Sequence, residues 1–322
     1  MHLRKLGRTG LTISEIGFGA WGIGNSGWQG AEDAESIRAL HRAIELGVNF
    51  IDTALVYGDG HSEQLVGQVV KERSETIYVA SKVPPKNRQW PARAGVPSDQ
   101  VFTKEYVIDS TETSLKNLGL DHIDVQQFHV WSDDWVGHGD WLEGVERLKQ
   151  DGKIRFFGVS INDHQPANAI KLIETGVVDT VQVIYNVFDR SPEDELLPAC
   201  QKHDVGVIVR VALDEGGLTG KVTPDTNFPE GDFRNHYFSG DRKQQVYDRV
   251  QKIVADVGAN IDQAAEIALR YVLSHPAIST VIPGMRSVKN VEKNCALGDG
   301  RGLPPEQVQK LHDHRWIRNF YQ

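Results

Sequence analysis

Four polar residues in the first half of the chain carry side chains suited to moving a proton. Asp52 ends a short apolar run, Tyr57 follows it in a loop rich in Gly and Asp, and Lys82 and His129 end the next two apolar runs. A free tyrosine, with a pKa near ~10, is a poor acid at neutral pH, but a nearby ammonium group lowers that pKa. We therefore expect Lys82 to make Tyr57 more acidic, Asp52 to keep Lys82 charged, and His129 to donate a hydrogen bond. This set suits reduction of a carbonyl group by hydride transfer.

Each of these residues also has an ordinary structural explanation. An Asp after a strand often caps a turn, and a loop Tyr often packs against its neighbours. A strand-end Lys is often solvated, and a His is often a satisfied core residue. Lys82 favours the chemical interpretation, because a lysine after the apolar residues 77–80 needs a counter-charge when it is partly buried, and Asp52 can supply one. The sequence offers no metal-ligand cluster and no nucleophile–base pair as a competing site.

Apolar runs alternate with segments of helical periodicity along the whole chain. The predicted strands are residues 16–19, 50–52, 76–83, 123–130, 156–161, 180–185, 206–213 and 279–282. The predicted helices are residues 33–46, a helix opening at 62, and residues 104–118, 141–150, 166–174, 193–203, 242–256, 261–274, 288–297 and 305–320. Several strands are apolar throughout, as in a parallel sheet buried on both faces.

Eight successive β/α units favour an α/β fold of the (β/α)₈ TIM-barrel type. Residues 3–6 and 11–13 flank Gly-Arg-Thr-Gly and predict an N-terminal β-hairpin, and residues 305–320 predict an extra C-terminal helix. We expect one domain spanning residues 1–322. Active sites of this barrel lie at the carboxyl ends of the strands, where Asp52, Lys82 and His129 stand. The loops 84–103 and 213–240 are long enough to be lids or specificity loops.

Composition limits the partners. Of the 322 residues 39% are hydrophobic, which allows a sizeable core, and the net charge of −9 argues against nucleic acid or an anionic membrane as partner. Cys200 and Cys295 lack the spacing of a disulfide scaffold or a zinc site. The N-terminus lacks the apolar core of a signal peptide, and no stretch approaches the length of a membrane span. We expect a cytoplasmic protein with a small-molecule partner; oligomeric state cannot be read from the sequence.

Hydride transfer needs a carrier with phosphate groups to bind. Gly17, Gly19 and Gly22 match GxGxxG, but the next helix begins only near residue 33, which argues against a dinucleotide-binding Rossmann loop. In a barrel, phosphate is commonly bound by the loops after strands 7 and 8. Residues 215–221 are glycine-rich, and residues 283–287 place an arginine before a helix N-terminus. Either loop alone is equally compatible with an ordinary turn.

The chain resembles the aldo-keto reductase family along nearly its whole length, in the segments GFGAWGIG, NFIDTALVYG, SEQLVG, IYVASKV, DHIDVQQFH, IRFFGVS, VQVIYN, EGGLTGK and IPGMRSVKNVEKN. Asp52, Tyr57, Lys82 and His129 fall on the family's catalytic tetrad. The resemblance implies a (β/α)₈ barrel whose bottom the hairpin closes, a nicotinamide cofactor bound in an extended form, and carbonyl reduction or alcohol oxidation.

The resemblance also implies cofactor contacts, and Asp52 is among the expected cofactor-binding residues. The loop touching the nicotinamide end matches Gly19, Ala20 and Trp21, and the residues holding the carboxamide match Ser160 and Gln182. The pyrophosphate loop matches Leu213, Glu215, Gly216 and Leu218, and the adenosine-phosphate loop matches Gly284, Arg286, Asn290 and Asn294.

Three positions depart from the commoner family pattern. Ile161 follows Ser160 where Asn is common, and Asn162 comes next as an alternative carboxamide contact. Arg210 stands where a tyrosine often stacks on the nicotinamide, and its guanidinium is expected to stack in its place. Lys293 stands where a glutamate often contacts adenine.

We therefore predict an NADPH-dependent carbonyl reductase. We expect the protein to prefer NADPH over NADH, because the Arg286 guanidinium can form charge-assisted hydrogen bonds with the 2′-phosphate. Two alternatives remain: an NADP(H)-binding regulatory barrel related to ion-channel β subunits, and a cofactor-free barrel isomerase. Tryptophans in or near the loops suggest an aromatic or sugar-stacking pocket, with Trp21 and Trp131 as the first residues expected in it.

Overall fold

Eight parallel strands follow one another around a single sheet in chain order. The computed structural model describes residues 1–318. Within them the barrel strands are β3 (Phe18–Gly19), β4 (Phe50–Asp52), β5 (Tyr78–Val83), β6 (Ile123–Phe128), β7 (Ile154–Ser160), β8 (Thr180–Ile184), β9 (Gly206–Arg210) and β10 (Thr280–Val281). The first and last strands also meet, because Gly17 N donates to Val281 O at 2.8 Å and Gly19 N to Pro283 O at 3.1 Å. The predicted (β/α)₈ architecture is confirmed.

An antiparallel hairpin precedes the barrel. Its strands are β1 (Leu3–Lys5) and β2 (Thr12–Ser14), and Leu3 pairs with Ser14. The turn between them lies against the beginning of β9, where Arg8 N donates to Asp204 O at 2.7 Å. Apolar side chains of the hairpin share a buried cluster with side chains inside the barrel: Leu6, Leu11, Ile13, Phe50, Ala80, Val125, Ile208 and Ile282. The hairpin therefore closes the end of the barrel opposite the expected active site.

Helices connect the strands and cover the outside of the barrel. They are α1 (Asp33–Glu45), α2 (His61–Lys71), α3 (Lys104–Leu118), α4 (Trp141–Gln150), α5 (Ile170–Thr175), α6 (Leu196–Lys202), α7 (Arg234–Tyr237), α8 (Arg242–Asp256), α9 (Ala264–Leu273), α10 (Val288–Cys295) and α11 (Pro305–Leu311). The predicted bounds of α3, α4 and α8 agree with the structure. Their apolar periodicity is regular, and Thr103 caps α3 by accepting from Tyr106 N.

The predicted helices that differ most from the structure are those at residues 166–174 and 305–320. The segment predicted to start at residue 166 is helical only from Ile170, because the Asn168 side chain bonds to Trp131 O and Asp133 N and holds the preceding residues in turns. The C-terminal helix ends at Leu311 and continues as a short 3₁₀ turn, so its predicted extent was too long within the described residues. The last residues of that prediction, 319 and 320, lie outside the described part.

Membrane insertion by a helix finds no support within residues 1–318, where no helix is both long and apolar enough to cross a bilayer.

Candidate active site

The four residues expected to do chemistry meet at the carboxyl ends of β4, β5 and β6. Lys82 Nζ lies at the centre and donates to Asp52 Oδ1 at 2.5 Å, to Thr53 O at 2.8 Å and to Tyr57 OH at 3.4 Å. The His129 ring stands edge-on to Tyr57, with ring centroids 5.8 Å apart. Lys82 is fully buried, so its ammonium depends on these oxygen partners for compensation. Parallel register brings the strands together, since Asp52 pairs with Ala80 and Lys82 with Gln127.

The pKa of Tyr57 differs in direction from the sequence-based expectation. Burial raises the pKa of Tyr57 above its ordinary 10.0, and the charge of Lys82 offsets this only in part. Asp52 adds to the increase, because a nearby carboxylate disfavours the phenolate. The phenol is therefore protonated throughout the neutral pH range. The expectation that Lys82 brings the pKa of Tyr57 below its usual value is wrong, because a sequence does not show how deeply the phenol lies.

His129 is neutral and Lys82 is positively charged. Burial lowers the pKa of His129 well below 6.5, and the positive charges of Lys82 and Arg210 lower it further. The imidazole is therefore neutral at physiological pH and carries a single N–H with which to donate a hydrogen bond. Burial also acts to lower the pKa of Lys82, but Asp52 and Tyr57 outweigh it and the net shift is upward. Lys82 is accordingly an ammonium.

Two glutamines complete the surroundings of Asp52. Gln127 Nε2 donates to Asp52 Oδ2 at 3.0 Å, and Gln182 Nε2 donates to the same oxygen at 2.8 Å. Gln182 Nε2 also lies 3.2 Å from Gln127 Oε1. Sequence reasoning missed Gln127. A polar residue in the middle of an otherwise buried strand such as β6 was the available signal.

A cavity of about 1200 Å³ opens above these residues at the same end of the barrel. Tyr57 and His129 line it, while Lys82 lies behind Tyr57. The residues expected at the cofactor that also line it are Gly19, Ala20, Trp21, Asp52, Ser160, Asn162, Gln182, Arg210, Leu213, Glu215, Gly216, Gly284, Arg286, Asn290 and Asn294. A cavity of this size exceeds ordinary small-ligand pockets and suits an extended dinucleotide together with a substrate.

The loops after β9 and β10 have backbone suited to phosphate binding. Glu215 and Gly216 both have positive φ, at 51° and 100°, and a Cβ added at Gly216 or at Gly284 would meet nothing within 4 Å. A ligand can therefore approach the main chain closely at both glycines. Burial and the neighbouring Asp214 raise the pKa of Glu215 to about 8, so this carboxyl is mostly neutral at pH 7 and does not repel an anion. Leu218 is 1% exposed and does not line the cavity.

Arg286 reaches across the cavity to the loop after β3. Its Nη1 donates to Gln29 O at 2.7 Å, and its guanidinium lies 5.5 Å from the Trp28 ring centroid. Arg234, from the loop after β9, lies 4.1 Å from the same ring and is paired with Asp232. Phe233 N also donates to Gly27 O at 2.6 Å, so the two loops meet over the cavity. Arg286 thus stands at the cavity wall beside the loop that carries Gly19, Ala20 and Trp21, the residues expected at the nicotinamide end.

Arg210 forms an ion pair within the protein. Its Nη2 donates to Asp163 Oδ1 at 2.5 Å and to Ile161 O at 2.9 Å, and both partners belong to the loop after β7. Arg210 lines the cavity close enough to lower the pKa of His129. Stacking on the nicotinamide therefore competes with an existing salt bridge. Its first role is to join the end of β9 to the loop that follows Ser160.

We expect Arg210→Ala to lower the free energy of unfolding by about 1–3 kcal/mol, because it leaves the partly buried Asp163 carboxylate and Ile161 carbonyl without their donor. Urea unfolding of wild type, Arg210→Ala, Asp163→Ala and the double variant measures the coupling. Arg147→Ala, which removes an exposed helix pair with Asp151, is a control expected to change stability by less than about 0.5 kcal/mol. Additive losses at Arg210 and Asp163 would contradict the ion-pair assignment.

Asn162 and Trp131, like Leu218, are placed differently from the sequence-based expectation. Asn162 lines the cavity, but both ends of its amide bond to Ala92: Oδ1 accepts from Ala92 N at 3.1 Å and Nδ2 donates to Ala92 O at 3.0 Å. It is therefore not available to hold a carboxamide. Trp131 is fully buried, does not line the cavity, and donates from Nε1 to Asp133 Oδ1 at 2.9 Å. Its indole packs in an aromatic cluster with Trp135 and Trp141.

Comparison with known proteins gives matches along most of the chain. A family model described as the Aldo/keto reductase family matches residues 15–315. An uncharacterized oxidoreductase of Bacillus subtilis is 30% identical over 98% of this chain and 96% of its own length. An NADH-specific methylglyoxal reductase of Escherichia coli is 29% identical over 90% of this chain and 91% of its own length. A putative voltage-gated potassium channel subunit beta of Schizosaccharomyces pombe is 30% identical over 98% of this chain and 93% of its own length.

Solved structures agree with these relatives. The holo form of an aldo-keto reductase from Bacillus halodurans superimposes with a TM-score of 0.77 and 26% identity over the whole of both chains. An aldo/keto reductase from Klebsiella pneumoniae, in complex with NADP and acetate, gives a TM-score of 0.71 at 26% identity, covering 98% of this chain and 96% of that one.

Proposed function

Because the chain belongs to the aldo/keto reductase family, we propose that it reduces the carbonyl group of aldehydes or ketones to an alcohol, or catalyses the reverse reaction, with NADPH as its cofactor. One observation carries the proposal. A fully buried ammonium, Lys82, lies 3.4 Å from a phenol that faces a large cavity, and a neutral imidazole stands beside that phenol. Tyr57 can therefore act as an acid toward an oxygen atom bound in the cavity, and Lys82 can stabilise the phenolate that is left.

The residues of the chain fit a nicotinamide cofactor. The open main chain at Gly216 and Gly284 would hold its phosphates, and Ser160 and Gln182 line the cavity near Asp52, where the nicotinamide end would lie. Bound NADPH would supply the hydride. NADP and NADPH complexes among similar solved structures support this choice.

Tyr57 and His129 divide the work at the carbonyl oxygen. The neutral His129 donates a hydrogen bond that orients the carbonyl and polarises it before the hydride arrives. Tyr57, protonated because burial raises its pKa, gives its proton to the oxygen as negative charge develops there. Lys82 stabilises the phenolate that remains, and Asp52 keeps Lys82 in place. Solvent then returns the proton to Tyr57.

A panel of aldehydes and ketones, followed by the loss of NADPH absorbance, tests the proposal. Multiple turnovers with at least one carbonyl compound are expected. The second candidate is a regulatory barrel, which the potassium-channel relative favours. A regulatory barrel would bind NADPH but stop near a single turnover, so steady-state kinetics separates the two functions.

Cofactor preference depends on Arg286. The 2′-phosphate is what distinguishes NADPH from NADH, and a guanidinium can meet it with paired, charge-assisted hydrogen bonds. We expect Arg286→Ala to weaken NADPH binding by roughly ten- to a hundredfold and to leave NADH binding nearly unchanged, since such bonds contribute about 1.5–3 kcal/mol. Dissociation constants for both cofactors, measured by fluorescence quenching, provide the test.

Lys289→Ala is the matched control for Arg286. Lys289 is exposed on α10 and does not line the cavity, so its removal changes the same net charge without touching the site. An equal loss of NADPH and NADH affinity in Arg286→Ala would show that Arg286 stacks on adenine. The NADH-specific relative makes this outcome informative, because it shows that similar chains differ in cofactor choice.

A further inference from the structure

Trp90 stands beside the catalytic residues with much of its indole open to solvent. Its ring meets the His129 ring edge-on, with centroids 5.9 Å apart and planes at 90°. Trp90 and Pro91 both line the cavity, and Trp90 remains 39% exposed. A large apolar ring held at a cavity mouth is a surface for binding. The Trp90 indole therefore forms an exposed aromatic surface, here called the aromatic wall, next to the position expected for the substrate oxygen.

Asn162, in the loop after β7, holds in place the loop that carries Trp90. Its side-chain amide pairs with both the N–H and the C=O of Ala92, in the manner of a backbone bridge, and its Nδ2 also donates to Gln165 Oε1 at 3.1 Å. Asn162 is only 5% exposed, so these bonds are shielded from water. The anchor lies two residues after Trp90. It therefore restricts where the indole can sit relative to His129.

Aromatic groups also form the other side of the site. Trp21 is stacked against Tyr57 with centroids 6.2 Å apart, and Phe233 meets Trp21 at 5.4 Å. Three of the polar side chains that line the cavity are engaged within the protein: Gln182 with Asp52, Asn186 with Val211 O, and Asn162 with Ala92. Flat apolar ligand groups pack against these aromatic side chains better than polyhydroxylated ligand groups do.

We propose that Trp90 is a specificity-determining residue that packs against the ring of an aryl aldehyde or aryl ketone, and that Asn162 is the positioning residue that holds Trp90 there. The inference rests on the proposed carbonyl reduction and specifies its substrate class. It also gives Asn162 a role in place of the carboxamide contact. Trp90 is expected to act on substrate affinity, because it lies beside the reacting groups and takes no part in proton transfer.

Kinetics with two aldehydes test the role of Trp90. Trp90→Ala is expected to raise KM for 4-nitrobenzaldehyde by about tenfold or more, as the ring loses its packing partner. KM for propionaldehyde, which has no ring, should stay within about twofold. Arg93→Ala is the control: Arg93 is exposed in the same loop and does not line the cavity, so neither KM should change. Equal losses for both aldehydes in Trp90→Ala would overturn the assignment.

The role of Asn162 is tested by coupling to Trp90. Asn162→Ala should show the same selective rise in KM for 4-nitrobenzaldehyde, with kcat for propionaldehyde retained. The double variant Trp90→Ala/Asn162→Ala should be no worse than Trp90→Ala alone, because the anchor acts through the indole. Asn162→Asp, which keeps the acceptor for Ala92 N, should recover part of the loss. Additive effects would show that Asn162 acts independently of Trp90, which overturns its positioning role.

A binding measurement separates this inference from the proposed function. If the wild type turns over no carbonyl compound of the panel, carbonyl reduction fails, yet calorimetric binding of 4-nitrobenzyl alcohol still tests whether Trp90 packs against an aryl ring. The wild type should bind this alcohol about tenfold more tightly than Trp90→Ala, and Arg93→Ala should match the wild type. Equal affinity in wild type and Trp90→Ala would overturn the aromatic wall whatever the outcome of the kinetics.

Discussion

Replacing Tyr57 with phenylalanine is expected to lower kcat for carbonyl reduction by roughly 10²–10⁴-fold, the range credited to positioned acid–base groups. The ring keeps its stacking against Trp21 and its edge contact with His129, so only the hydroxyl that Lys82 contacts is lost. NADPH affinity should change little, because the loops proposed to bind its phosphates lie elsewhere in the cavity. Stopped-flow and steady-state absorbance at several aldehyde concentrations separate kcat from KM.

The matched control is Tyr106→Phe. Tyr106 is a partly buried phenol on α3 that does not line the cavity, so removing its hydroxyl should leave kcat unchanged. A fluorescence titration with NADPH shows whether the cofactor site of Tyr57→Phe is intact. If Tyr57→Phe reduces aldehydes at the wild-type kcat, another group supplies the proton and the assignment is wrong.

The direction of the pKa shift also predicts how the reverse reaction depends on pH. Alcohol oxidation needs Tyr57 as phenolate, whereas reduction needs it as phenol. Because burial raises the pKa of Tyr57, the phenolate is scarce at neutral pH and becomes more abundant as pH increases toward that pKa. We therefore expect oxidation to accelerate with pH across the neutral range and reduction to remain nearly constant there.

The fold and the chemical centre could be predicted from sequence because both depend on local patterns. Apolar runs at regular intervals indicated the strands, and the polar residue at the end of each run had to lie at one rim of a parallel barrel. Asp52, Lys82 and His129 follow from this rule alone. The eight strands and the hairpin followed from the same alternation and from turn residues.

Side chains in the long loops could not be placed in this way. Asn162 and Ala92 are 70 positions apart, and nothing in the spacing of either loop indicates that they pair. Trp131 closely follows His129, which is expected to be catalytic, and this made Trp131 a natural choice for the pocket. Its indole instead turns into the aromatic cluster behind β6, and Trp90, from a loop of irregular pattern, takes the open position. Loop paths depend on long-range contacts that periodicity does not encode.

The depth of burial was the other quantity hidden from the sequence. Proximity of an ammonium to a phenol predicts a lower pKa for the phenol, and that attraction is present between Lys82 and Tyr57. Desolvation acts in the opposite direction and outweighs it. Lys82 therefore limits the increase in the pKa of Tyr57 that burial causes. Its contribution becomes measurable when its charge is removed.

Lys82→Met keeps the length of the side chain and removes its charge. The pKa of Tyr57 should then rise further, since the main influence that lowers it is lost. In reduction Tyr57 then becomes a weaker acid, and kcat falls by roughly 10²-fold or more. In alcohol oxidation the limb that reports formation of the phenolate moves to higher pH. Profiles of kcat against pH in both directions measure the two effects.

Stability must be separated from chemistry in this variant. Lys82 and Asp52 are both buried, so removing the ammonium leaves a carboxylate supported by Gln127 and Gln182, at a cost of about 3–5 kcal/mol in the free energy of unfolding. Adding Asp52→Asn removes that buried charge and should restore much of the stability without restoring kcat. Recovery of activity together with stability would show that Lys82 serves the fold alone. Continued loss of activity in a stable protein would establish that its charge acts on Tyr57.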